Sequence, residues 1–227
     1  KIRPLYRESD FPASTDPLGT PGAAPYLRGA TAAPNPWLPW DIRQAFTHAS
    51  PEQTHEEILR DLERGVSSIE LSVDSTGQNG VQAMSVLDFD LTLAGVDASI
   101  AGVALDPVLT SGAREAALLA EWARDKADAK LDFNMDPLGA LARTGTLAGG
   151  LDGAFAEAGL LGKVLVAKYP AANLFRIDAR AVHEAGGKIF PQLFWQRGEG
   201  VKSTVPFLIN SLIQLAYTIR WPAWKLL

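Results

Sequence analysis

Cysteine is missing altogether from the 227 residues. Its absence excludes a disulfide framework, a thiolate zinc site and a cysteine nucleophile, and it fits the reducing cytoplasm expected as the compartment. Positive charge is not in excess: 21 Lys and Arg stand against 26 Asp and Glu, a formal net charge of −5. With no Lys/Arg cluster interleaved with aromatics, the field that holds a phosphate backbone is lacking, and nucleic acid is not an expected partner. Long apolar runs are lacking too. Lys1 to Glu8 has no signal-peptide core, and Val205 to Ala216 is broken by Pro206, Asn210, Ser211 and Gln214, so no membrane partner is expected. Histidine occurs three times, as His48, His55 and His183. None stands at metal-ligand spacing, and Ser50-Pro51 prevents a common helix for the first two, so no metal site is expected. Phosphate-binding fingerprints are missing as well: Gly145 to Gly153 matches neither the dinucleotide motif nor the P-loop, and reads as a mobile βα loop.

What is present is an apolar content of 47%, enough to bury a full core in one domain with an extension. Residues 1–49 form a Pro-rich arm, with Pro12, Pro17, Pro21, Pro25, Pro34, Pro36 and Pro39, and read as extended. Its Tyr26, Arg28, Trp37 and Trp40, with Arg43 beyond them, are the residue types that bind another protein surface and are the expected partner interface. From Ser50 the pattern changes. Ser50-Pro51-Glu52-Gln53 supplies an N-cap, a first-turn proline and a capping-box glutamine, and Gly65 stands where a left-handed C-cap residue belongs. Val66 to Val73 reads as a strand, Ala98 to Ala104 as a second and Gly112 to Lys126 as an Ala/Leu helix. Leu131 to Met135 reads as a third strand, followed by Asp136-Pro137 as cap and helix start. Asn173 to Asp178 reads as a fourth, with a further apolar run at Lys163 to Ala167. Strands alternating with helices imply a parallel α/β sheet. Without a nucleotide fingerprint, a partial TIM-like (β/α) barrel is preferred over a doubly wound sheet. The barrel portion is placed at 50–187 and a divergent tail at 188–227.

Residues able to carry chemistry are sparse. His183 follows the fourth strand, where barrel enzymes place catalytic groups, but a capping or interface role is the plainer reading. Arg143 lies within the helix after Asp136 and could meet an anion. Asp132 and Asp136 bracket a strand and read as structural. An unrelated barrel enzyme would have Asp74, Asp132 and His183 at its strand ends.

Several segments, in order, carry a resemblance: Pro4-Leu5-Tyr6, Gly22 to Gly29, Pro39-Trp40-Asp41-Ile42-Arg43-Gln44, Gly65 to Val73, and Ile177 to Gly186. Together they resemble the substrate-binding half of the adenosylcobalamin-dependent methylmalonyl-CoA mutases, and more closely the small, non-catalytic subunits, over about Ile2 to Gly187. The resemblance implies a barrel that forms a heterodimer with a catalytic large subunit, which interconverts methylmalonyl-CoA and succinyl-CoA. The departures bear on activity. Where catalytic members carry a substrate-packing tyrosine, this chain has Ala45. Where they carry a Tyr-His pair that polarises the thioester, it has Arg180 and Ala181. Ala33, Pro34 and Leu38 stand where Thr, Met and Arg contacts to coenzyme A are expected. Alanine can neither donate a proton nor stabilise charge. The resemblance therefore implies an accessory subunit with no catalytic or cofactor-binding residues of its own, the adenosylcobalamin residing in the partner. The alternative is an acyl-CoA isomerase with a rebuilt pocket that uses Arg143, Arg180 and His183. Self-association is a further possible assembly. After Gly187 the alanine-rich character lapses, and residues 188–227 are expected to be foreign to the family; the competing reading is a family-specific helix around Phe207 to Ile219 that covers the open sheet edge.

Overall fold

The structure is a computed structural model and describes residues 19–23, 28, 32–33, 40–178 and 180–186. The chain divides into two compact units, Lys1–Asp41 and Ile42–Leu227. In the first, Thr20 to Ala23 form a turn closed by the Ala23 N–H on the Thr20 carbonyl at 3.1 Å, and Arg28 Nη1 reaches the Gly19 carbonyl at 3.5 Å.

The second unit is a five-stranded, all-parallel sheet in which spatial order repeats chain order. Its strands are β1 (Arg43–Phe46), β2 (Ser68–Val73), β3 (Gly102–Pro107), β4 (Leu131–Met135) and β5 (Asn173–Phe175). The helices are α1 (Pro51–Glu63), α2 (Val86–Thr92), α3 (Ala113–Trp122), α4 (Pro137–Thr144), α5 (Gly150–Lys168) and α6 (Arg180–Glu184). Right-handed crossovers between strands that never reverse their order put every crossover helix on one face. Accordingly α1, α2, α3 and α5 pack in succession as one layer. That is the singly wound pattern of an open α/β sheet of partial TIM-like type. A doubly wound sheet would have a switch point.

The two faces of the sheet differ chemically. Ile69, Leu71 and Val73 of β2, Val103 and Leu105 of β3, and Leu131 and Phe133 of β4 enter the buried core with Ile58, Phe89, Leu119 and Leu165 of the helices. The alternate residues Arg43, Ser68, Glu70, Ala104, Asp106 and Asp132 face the other way, in register across the strands. Parallel sheets are ordinarily apolar on both faces; this one has an apolar helix side and a polar inner side.

Local chemistry explains most of the elements. Ser50 caps α1 by accepting the Gln53 N–H, and Gly65 takes φ +104° beyond its end. Asp136 caps α4 by accepting the Gly139 N–H, with Pro137 in the first turn. Elsewhere the structure departs from expectation. β1 lies within the segment assigned to the arm. The second expected strand begins later, at Gly102, because Asp97 closes a helical turn over 97–101 with its side chain on Ser99. α2 was not expected; its capping box is Ser85 with Asp88, the shorter acid doing the work of Glu or Gln. The apolar run Lys163 to Ala167 belongs to the end of α5, and the glycine-rich loop, expected to reach Gly153, ends at Gly149, where α5 starts.

Candidate functional site

Strand ends on the polar side of the sheet converge on one cluster. Asp106 is the last inward-facing residue of β3, Asp136 follows β4 as the cap of α4, and Arg176 and Asp178 follow β5 directly. Arg180 opens α6, Arg143 comes from α4, and Glu70 lies on β2. The local cause of the convergence is a register shift between β4 and β5, between Asp132 and Met135. At that irregularity Asn134 adopts φ +51°, a left-handed conformation that Asn tolerates, and its amide donates to the Leu105 carbonyl at 2.9 Å.

The contacts are dense. Arg176 reaches along the inner face to Glu70 at 3.3 Å, donates to Asp106, and lies 3.6 Å from Asp178. Arg180 Nη2 meets both oxygens of Asp106 at 3.0 Å, and its Nε donates to Asp178 at 2.6 Å. Arg143 donates from Nε and Nη2 to the Val108 and Pro107 carbonyls, each at 3.1 Å, and its Nη1 stands 3.5 Å from Asp178. The Asp136 carboxylate accepts the Gly139 N–H at 2.8 Å and the Asp178 N–H at 3.0 Å, tying the start of α4 to the end of β5. On the same inner face Arg43 pairs with Asp132 at 3.1 Å and donates to Ser68 at 3.0 Å.

Titration follows from these contacts. Burial pushes the Asp136 carboxyl above its ordinary range, against the pull of the Gly139 and Asp178 N–H groups and of Arg143 and Arg176. At Asp178 burial also acts upward, but the hydrogen bonds and charge of Arg180, with Arg176 beyond, outweigh it and hold that carboxyl low. The Arg180 guanidinium is held more firmly protonated than usual, first by its bond to Asp178 and, against desolvation, by Asp106. A raised folded-state value means that Asp136 stabilises the fold most at low pH and loses that contribution as pH rises through its folded value. In Asp136→Asn the upward-sloping loss disappears. The wild-type advantage over this variant should shrink as pH is raised from about 4 toward 7, whereas Asp178, with its lowered value, gives the opposite slope below the ordinary carboxylate range. Urea denaturation across that window measures the difference, and a constant gap would refute the assignment.

The cluster therefore holds four carboxyls and three guanidiniums that chiefly bind one another. Guanidinium does not give up a proton in proteins, and Asp106 and Asp178 are committed to arginine. What the group does here is fix the strand ends, with Asp136 tying the start of α4 to the end of β5. Nearby, a hydroxyl-rich cleft of about 340 Å³ is lined by Thr110, Ser111, Arg114, Glu115, Thr144 and Thr146 among others. Its buried Glu115 accepts from Thr110 at 2.9 Å.

Of the residues singled out from sequence, the structure joins Arg143 and Arg180 through Asp178, while His183 lies exposed in α6. Asp132 pairs with Arg43, and Asp74 binds the Thr76 and Asn79 N–H groups of its own loop at 2.8 and 3.0 Å. Trp40 is 69% exposed. Tyr26 and Trp37 lie outside the described residues. The sequence reading missed Glu70, Asp106 and Arg176. The first two could have been found as charged members of otherwise apolar or small-residue strands. Among the described residues no group of His, Asp or Glu is placed to hold a metal ion, and no helix is long and apolar enough to cross a membrane.

Comparison with known proteins agrees with the sequence resemblance. The chain is 35% identical to the methylmalonyl-CoA mutase small subunit of Streptomyces virginiae over 203 residues, 88% of this chain and 31% of that protein. It is 29% identical to the small subunit of Propionibacterium freudenreichii subsp. shermanii over 223 residues, 96% of this chain and 32% of that one. A 108-residue stretch is 32% identical to the methylmalonyl-CoA mutase of Escherichia coli K12. The chain thus spans about a third of the length of the small subunits it matches. A match over 96% of the chain also runs into residues 188–227, so that segment has a counterpart in at least one relative. Because the methylmalonyl-CoA mutase family model matches residues 1–190, the chain belongs to that family.

Proposed function

We propose that this chain is part of a non-catalytic accessory subunit that assembles with a larger, adenosylcobalamin-bearing mutase subunit. The observation that supports this most strongly is the mutually satisfied cluster at the strand ends. In a parallel βα array, substrates are met at the carboxyl ends of the strands. Here that position is filled by Arg176 and Arg180 bound to Glu70, Asp106 and Asp178. Opening it to an acyl-CoA would break several charge-assisted bonds, each of which costs about 1.5–3 kcal/mol to lose. The residues expected to polarise a thioester are also replaced, with Arg180 engaged by carboxylates and Ala181 bearing only a methyl, and Ala45 stands where a substrate-packing tyrosine is expected.

In this reading the adenosylcobalamin sits in the partner, and no residue of this chain is given a role toward it. The three histidines, the residues able to offer cobalt a nitrogen donor, stand on separate elements, His48 after β1, His55 in α1 and His183 in α6, and none belongs to the strand-end cluster. His48 Nδ1 is already accepting the Ser50 N–H at 3.1 Å. The isomerisation is therefore assigned to the partner, and the role of this chain is to stabilise it in a cytoplasmic heterodimer.

Native mass spectrometry of the tagged chain recovered from its source organism, with absorption spectra of the same sample, tests the reading. The expected result is a one-to-one complex with a larger, corrinoid-bearing chain, whose turnover of methylmalonyl-CoA falls when the complex is dissociated. Turnover by the purified chain with added adenosylcobalamin alone would overturn it.

A further inference from the structure

The outward pole of α5 is apolar along its whole length, as those of the other helices in the layer are not. α1 turns Glu52, Glu56 and Arg60 outward, α3 turns Arg114 and Glu121 outward, and α2 turns Asp90 outward between Leu87 and Leu91. α5 buries Ala154, Phe155, Ala158, Gly162 and Leu165 against the sheet. Half a turn around the helix, Gly153, Ala156, Leu160, Val164 and Ala167 form an exposed stripe, with Leu160 67% and Val164 65% exposed. A helix that is apolar on both poles is one that is covered on both.

The stripe is symmetric in sequence about Leu160. Ala156 and Val164 stand four residues either side of it, and Gly153 and Ala167 seven either side. Its flanks are polarised: Asp152 and Glu157 border the first half, Lys163 and Lys168 the second, all four exposed. At 100° per residue, Glu157 and Lys168 share one flank, and Asp152 and Lys163 share the other.

We propose that α5 pairs antiparallel with α5 of a second copy of this chain, about a two-fold axis at the level of Leu160. A two-fold interface is isologous, so each flank meets the same flank of its mate with direction reversed. Glu157 then faces Lys168 of the second copy, and Asp152 faces Lys163. Each pair is offset by about 7.5 Å along the axis, within reach of a lysine side chain. Lys168 currently rests 5.2 Å from the Tyr169 ring and can extend from there. Parallel pairing would set acid against acid and is disfavoured. The small Gly153, Ala156 and Ala167 let the helices approach closely. This inference is independent of the accessory reading, since it concerns the outer face of the helix layer and not the strand-end cluster.

The absence of cysteine makes the test clean. With axes about 8–10 Å apart and Cα atoms about 2.3 Å off each axis, facing residues at the two-fold approach to about 3.5–5.5 Å, overlapping the disulfide range of about 4.4–6.8 Å. In the full chain, Leu160→Cys is then the sole thiol. It should form a covalent dimer under mild oxidation at least tenfold faster than Leu87→Cys, whose native side chain is 77% exposed on α2. By sedimentation equilibrium, Leu160→Asp and Lys168→Glu should each weaken dimerisation, the first more than tenfold, and Glu157→Lys combined with Lys168→Glu should restore it. The proposal is overturned if the chain is monomeric at 100 μM, if the two thiols oxidise at equal rates, or if a dimer persists unchanged in Leu160→Asp. It also fails if Leu160→Cys crosslinks instead to a cysteine introduced in residues 188–227 of the same chain.

Discussion

Replacing Asp106 with alanine should destabilise the sheet-bearing unit by about 3 kcal/mol, the lower end of what removing one member of a buried ion pair costs. Asp106 is 7% exposed and serves two guanidiniums at once, those of Arg176 and Arg180. Its loss leaves Arg176, with a side chain only 22% exposed, paired to Glu70 and more distantly to Asp178. The Arg180 side chain is 53% exposed and can rehydrate, which keeps the loss at that lower end. Asp106→Asn should lose less, because the amide oxygen still accepts. Combining Asp106→Ala with Arg176→Met should recover part of the loss, as removing both partners spares the uncompensated charge. Urea denaturation of the four proteins measures the coupling. Additivity of the two single changes would show that solvent, not the pair, carries the charge.

A second large effect is expected at Gly139, and its sign is opposite to the usual one. Glycine to alanine inside a helix ordinarily gains about 1 kcal/mol. At Gly139 a Cβ would stand 2.0 Å from Asp136 Oδ2 and 3.0 Å from Arg143 Nη1. The carboxylate must move, and in moving it releases the Gly139 and Asp178 N–H groups it caps. Two orphaned donors at about 1–3 kcal/mol each, less the helix gain of about 1 kcal/mol, set the expected net loss at roughly 1–5 kcal/mol. Gly153→Ala in α5, with open space around its Cβ, is the contrasting case and should be neutral or stabilising in dilute solution. If Gly139→Ala were stabilising, the Asp136 bridge between α4 and β5 would not be needed for the fold.

How much of this was legible in the residues depends on the range of the interaction. The Asp136-Pro137 start of α4 and the Leu131–Met135 strand were readable, because caps and alternation are encoded within a few positions. β1 was not, since Arg43–Phe46 is short, mostly exposed, and becomes a strand by pairing with β2. α5 was misread for a related reason. The glycines from Gly145 to Gly153 suggested a loop, and Lys163 to Ala167 was legible only as an apolar run, yet nineteen residues form one helix packed on α3 and β5. The cluster was half legible. Arg143 and Arg180 were singled out, but Arg176 acquires its role only because β5 ends where it can reach a glutamate 106 residues earlier. No local pattern encodes that distance. The family likeness, by contrast, was carried by short segments spread along the chain, and the comparison reproduced it over residues 1–190.

A sheet whose spatial order repeats its chain order also has a history written into it. Each strand finds its neighbour in the strand made just before it, so β2 can dock on β1, and β3 on β2, while later residues are still being synthesised. The loops to be closed are of moderate length, and the entropy of each closure grows only slowly with that length. Such an order permits assembly one βα unit at a time from the amino terminus. The long-range bonds of Arg176 and Asp178 come last, and lock a sheet that is already built.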